Sequence, residues 1–142
     1  RYALGRGLMA ALDTNVLVRW LTNDGAQQCA VVARLLDQAL QKGERLFVTD
    51  TVMLEVECVL RARYRYDRRN VTAALNALLD VTELEFQTEP ALERALWLFK
   101  QSDSRDFADC LHIALTSQNS QGPFLTFDER VSRIEGATLL RA

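Results

Sequence analysis

Acidic residues sit at four places in the chain where chemistry could be built. Asp13 follows the apolar run Met9–Leu12 and precedes Thr14 and Asn15. An acid directly behind such a run lies at the carboxyl end of a strand, the edge at which open parallel sheets bind ligands. The same residue would also serve as an N-cap for the helix that follows. Asp128 repeats the pattern one residue after Phe124–Phe127. Glu55 and Glu57 lie inside an almost wholly apolar helical stretch, Thr51–Arg63. At about 100° per residue they point about 160° apart, so they cannot serve one site. The helical wheel leaves open which of the two faces a polar pocket. Asp106 and Asp109 are three apart at the start of a further helix and share a face. Asp106 suits the cap position, whereas Asp109 stands where no cap is needed, which favours a ligand role for it. His112, the single histidine, reads as a hydrogen-bonded structural residue in preference to a proton shuttle.

Gathered carboxylates raise one another's pKa values and repel, and a divalent cation resolves that conflict. Mg²⁺ and Mn²⁺ take hard oxygen ligands and bind phosphate alongside carboxylate, so the chemistry such a pocket suits is phosphodiester hydrolysis.

The elements that must position these acids alternate short apolar runs with longer helical patterns, the signature of an α/β domain with a mainly parallel sheet. Strands are expected at Met9–Asp13, Leu46–Thr49, Leu84–Gln87, Phe124–Phe127 and Thr138–Leu140. Helices are expected at Asn15–Leu21, Ala26–Gln41, Thr51–Arg63, Arg69–Leu79, Pro90–Gln101 and Asp106–Ser117. Asp24 with Gln27 suits a capping box, Gly43 a helix end, and Pro90 a first helical turn. Gly122-Pro123 breaks the chain before the fourth strand. With 142 residues and no repeat or long linker, the expectation is one domain over residues 9–142. Met9 fits a natural start, leaving residues 1–8 as an upstream extension or an expression remnant.

Composition narrows the class. Apolar residues make up 49% and charged residues 25%, an ordinary globular balance, and the net charge is −2. No global basic field advertises nucleic acid, so any such contact must be local or metal-mediated. Three scattered cysteines and one histidine cannot assemble a zinc site, and they suit a reducing, cytoplasmic setting. No apolar run approaches the ~20 residues of a bilayer span, so no membrane association is expected.

At this point the motifs resemble a known family. Ala11-Leu12-Asp13-Thr14-Asn15-Val16-Leu17-Val18-Arg19 is similar to the opening of a PIN domain, specifically that of a bacterial VapC-type toxin. Met53–Leu60 resembles the family's helix bearing the second acid, which aligns with Glu55. Asp106–Ala114 resembles the third motif, with Asp109 as the metal-binding acid. Leu125-Thr126-Phe127-Asp128 resembles the fourth. The resemblance implies a three-layer α/β/α fold around a central, mainly parallel sheet of four to five strands. It implies a Mg²⁺- or Mn²⁺-dependent endoribonuclease that acts on RNA, forms a homodimer and is neutralised by a cognate antitoxin. Asp13 and Asp109 would be the principal metal ligands, with Glu55 and Asp128 completing the pocket. Asp106, Thr14, Asn15 and Thr126 would be auxiliary to it. The resemblance also selects Glu55 over Glu57.

One further cluster stands out. Arg61, Arg63, Arg65, Arg68 and Arg69 fall within nine residues, interleaved with Tyr64 and Tyr66. Guanidinium–phosphate pairing and stacking would suit RNA contact. Cations favouring a helix C-terminus and a solvated turn would explain the same residues.

Three other readings fare less well. A haloacid-dehalogenase phosphatase needs a second aspartate where Asn15 stands. A two-component receiver needs a lysine on a late strand, and Lys42 and Lys100 do not fit. A non-catalytic PIN-like interaction module would have no need of acids at all four positions.

Overall fold

The structure, a computed structural model, describes residues 8–142, and the residues expected to form an upstream extension or remnant lie outside the described residues except for Leu8. The described residues form two compact units, the first ending at Gln87 and the second running from Thr88 to Ala142.

The first unit carries three parallel strands in the order β1 (Leu8–Ala11), β2 (Arg45–Val48), β3 (Leu84–Phe86). Parallel neighbours need long crossovers. Here each crossover holds two helices, α1 (Thr14–Thr22) with α2 (Ala26–Lys42), then α3 (Asp50–Ala62) with α4 (Arg68–Leu79). In register, Ala11 faces Phe47, Leu46 faces Leu84 and Val48 faces Phe86. Leu12, just past β1, still donates its N–H to the Phe47 carbonyl at 2.9 Å, which fixes where the next residue, Asp13, emerges.

The helices bury what their spacing predicts. Met53, Val56 and Leu60 on α3, and Val71, Leu75 and Leu78 on α4, recur every three or four residues and are buried with Leu46, Val48 and Leu84. Each such side chain contributes about 1.5–3 kcal/mol of burial. Gly43 ends α2 with φ 64°, a left-handed conformation that glycine adopts without a Cβ penalty.

In the second unit α5 (Glu89–Lys100) packs on α6 (Phe107–Gln118), and Ala91, Leu92, Ala95 and Phe99 on the one and Phe107, Cys110, Leu111 and Ala114 on the other are buried. Phe99 meets Phe107 edge to face at 5.8 Å. Pro90 lies in the first turn of α5, as expected. Strand β4 (Phe124–Thr126) runs parallel to β5 (Ala137–Leu139), and α7 (Glu129–Ser132) joins them. The described strands all pair in parallel, as anticipated, but lie in one three-stranded and one two-stranded sheet where a central sheet of four to five strands was expected.

Two local expectations are corrected. The residue capping α2 is Gly25, with no side-chain hydrogen bond, because the Asp24 carboxylate is engaged elsewhere: it accepts from the Tyr64 hydroxyl at 2.7 Å and lies 3.8 Å from Arg19. Asp106 does occupy the cap position of α6, yet its side chain makes no capping bond. Helix α7 has no counterpart in the sequence reading, since four residues carry no periodicity to detect.

Candidate active site

In the first unit the acids are organised by one threonine. Asp13 leaves β1 in extended conformation (φ −79°, ψ 158°) and caps α1, its Oδ1 accepting the Thr14 N–H at 2.8 Å. The cap and ligand readings of Asp13 are therefore compatible: one oxygen serves the helix, and the residue is exposed. Thr14 is only 7% exposed. Its Oγ1 donates to Glu55 Oε1 at 2.9 Å, tying α1 to α3. Thr14 thus links the two carboxylates through its amide and its hydroxyl.

The same helix disposes of Glu57 differently. That side chain is 3% exposed and accepts from Arg61 Nε at 2.9 Å, one turn along. Its charge is compensated on its own helix, whereas Glu55 accepts from the Thr14 hydroxyl. Asn15 lines a cavity of about 350 Å³ with Val16, Arg19, Gln28, Val31 and Val32. Among the described residues no hydrogen bond joins its side chain to Asp13 or Glu55.

The second unit holds the other acids. Asp109 lies in the first turn of α6, half-buried. Burial pushes its carboxyl pKa up, the charges of Asp106 and Asp128 add to that, and His112 and Arg130 oppose it. A helix N-terminus favours an anion, so the rise marks a carboxylate short of compensation despite the dipole. Asp128 caps α7, its Oδ1 accepting from the N–H groups of Arg130 (2.8 Å) and Val131 (3.4 Å). Its own N–H donates to Thr126 Oγ1 at 3.0 Å, so the expected auxiliary threonine sets the turn that presents the acid. His112 stacks on Phe124 at 5.9 Å with the rings 13° apart, a packing contact in place of the hydrogen-bonded role expected for it.

The sequence reading gave no role to Arg130. Its guanidinium lies 3.7 Å from Asp128 Oδ2, and it lines a cleft with Ser104, Arg105, Asp109, Val131 and Ile134. The signal available was its place two residues after Asp128, within reach of a capping carboxylate. The arginine cluster belongs to the first unit: Arg61 and Arg63 at the end of α3, Arg65 in the turn, Arg68 and Arg69 at the start of α4.

Among the described residues no three Asp, Glu, His or Cys side chains stand close enough to hold one ion jointly. The donor chemistry fits a hard divalent cation all the same: carboxylate oxygens supported by hydroxyls, and in Asp109 an acid whose ionisation its acidic neighbours oppose.

Comparison with known proteins agrees with the motifs. A family model described as PIN domain matches residues 10–137. A VapC ribonuclease from Aquifex aeolicus (strain VF5) is 23% identical over 126 residues, covering 89% of this chain and 92% of that protein. Among solved structures, the Mycobacterium tuberculosis VapC20, described as a toxin that cleaves the sarcin–ricin loop, matches 87% of this chain and 92% of its own. The identity is 20% and the TM-score 0.39.

Proposed function

The chain belongs to the PIN-domain family, and we propose that it is a metal-dependent endoribonuclease acting as the toxin of a toxin–antitoxin pair. The observation that carries this reading is the pairing of acids at all four motif positions. Asp13 and Glu55 are joined through Thr14, and Asp109 is crowded by Asp106 and Asp128. Residues 9–142 would act as one domain.

Asp13 and Asp109 would be the principal Mg²⁺ or Mn²⁺ ligands, with Glu55 and Asp128 as further acids. When bound, the ion supplies an activated water and stabilises charge building on the phosphate. The protein's part is positional. Thr14 orients Glu55, the Leu12–Phe47 hydrogen bond holds Asp13 at the strand end, and Thr126 holds the backbone of Asp128. Asp106 and Asn15 are auxiliary, Asp106 by adding negative charge beside Asp109. The printed function of the Aquifex aeolicus relative, a ribonuclease, supports RNA as substrate. The accompanying partners would be a cognate antitoxin and a second copy of the chain, in the cytoplasm.

The test is cleavage of a structured RNA by the purified protein in Mg²⁺, in Mn²⁺ and in excess EDTA. Cleavage that requires the metal and disappears in Asp13→Asn, with the circular-dichroism spectrum kept, is the expected result. A wild-type protein that binds an antitoxin but cleaves no RNA under any of these conditions would favour a non-catalytic interaction module.

A further inference from the structure

The chain's densest positive charge is at the turn between α3 and α4, outside the acidic groups. Arg61 is partnered by Glu57. Arg63, Arg65 and Arg69 are exposed and, among the described residues, enter no ion pair. Helix electrostatics account for only part of this. A C-terminus attracts cations, which suits Arg61 in the last turn of α3 and Arg63 at its cap. Arg69 stands in the first turn of α4, where the dipole disfavours a cation and no acidic residue offsets it beyond the cap, Asp67. Arg65 adopts φ 60°, a left-handed conformation costing a non-glycine residue about 1 kcal/mol. A turn selected only for solubility has no need of like charges gathered at such a cost.

The turn is also held in place. The Tyr64 hydroxyl donates to Asp24 at 2.7 Å, anchoring it to the α1–α2 connection. The N–H of Tyr66 donates to the Leu60 carbonyl at 3.0 Å, and Asp67 accepts the Asn70 N–H at 2.8 Å. Cations fixed on an ordered turn lose less entropy on binding than those on a flexible loop.

We propose that the α3–α4 turn is a docking surface for the phosphodiester backbone of RNA, with Arg63, Arg65 and Arg69 as its contacts. This rests on the ribonuclease reading above and adds to it a substrate-binding surface outside the acidic groups. Guanidinium groups suit phosphate oxygens in charge and in donor geometry, and a polyanion relieves the repulsion among the three.

The test measures binding of a fluorescein-labelled 20-nucleotide oligouridine across a KCl series. It compares Asp13→Asn, used to suppress cleavage, with the same protein carrying Arg63→Gln, Arg65→Asn and Arg69→Gln. Asparagine at 65 tolerates the left-handed backbone, so the turn is kept. The expected result is at least tenfold weaker binding at low salt. The slope of log affinity against log salt should fall by about 2, since each of three phosphate contacts contributes about 0.7. An unchanged slope overturns the proposal, whether or not affinity falls. So does retained RNA binding with lost affinity for polyglutamate, which would assign the turn to an acidic protein. If the unmodified chain cleaves no RNA, the ribonuclease reading fails by itself, and the salt slope still judges the turn.

Discussion

Thr14 joins the helix cap of Asp13 to the carboxylate of Glu55, and its replacement by valine isolates that link. Valine keeps the shape and removes the hydroxyl. A hydrogen bond to a charged acceptor contributes about 1.5–3 kcal/mol when both partners are shielded, and a neutral one about 0.5–1.5. Glu55 is exposed, so water replaces part of the lost interaction and about 1 kcal/mol is the better figure. Against this, a methyl group at a position only 7% exposed regains up to about 0.8 kcal/mol. The single substitution should therefore move global stability little, and stability alone is a poor readout. A double-mutant cycle of Thr14→Val with Glu55→Ala removes the methyl contribution and leaves the coupling. Read from single-turnover RNA cleavage, the coupling should be about 1 kcal/mol, a factor of about 5 in rate. Thr14→Ser, which retains the hydroxyl, should restore most of the loss. Coupling below about 0.3 kcal/mol, within the usual additivity of independent sites, would refute the claim that Thr14 positions Glu55.

Three further outcomes are expected. Because burial and acidic neighbours raise the Asp109 pKa, the folded state holds that proton more tightly than the unfolded one. Metal-free stability should thus rise as pH falls from neutral through the folded pKa, levelling below the unfolded value of 3.8, and Asp109→Asn should flatten that part of the urea-midpoint profile. At neutral pH the same substitution should stabilise the metal-free protein slightly, within about 1 kcal/mol, since it deletes an under-compensated charge. On α3, Arg61→Met should cost more than Glu57→Gln in urea denaturation, by about 1–2 kcal/mol. It strands a buried carboxylate, whereas the exposed Arg61 can turn to water. Gly136→Ala should lower stability by about 1–3 kcal/mol, because φ is 100° there and an added Cβ would stand 3.0 Å from Ile113 Cγ2.

What was legible in the sequence follows from which forces are local. Hydrophobic periodicity located the strands and the longer helices to within a residue or two, because Met53, Val56 and Leu60 must share a face wherever that helix packs. Gly43 and Pro90 were readable because their backbone constraints belong to the residue itself. Asp24 misled for the opposite reason: its capping potential was taken by Tyr64, 40 positions away in the chain. The choice between Glu55 and Glu57 was equally non-local. The wheel required opposite faces, but only Thr14 on one side and Arg61 on the other assign them. Asp128 was placed at its strand end from the run before it, while its ion pair with Arg130 depends on a four-residue helix without any pattern to read.

The central proposal is that Asp13 and Asp109 are both metal ligands. Titration of Mn²⁺ into the wild type, Asp13→Asn, Asp109→Asn and the double variant tests this directly, with bound metal followed by electron paramagnetic resonance. The account predicts that each single substitution weakens binding at least tenfold and that the double variant binds no better than either. Wild-type affinity in either single variant would contradict it.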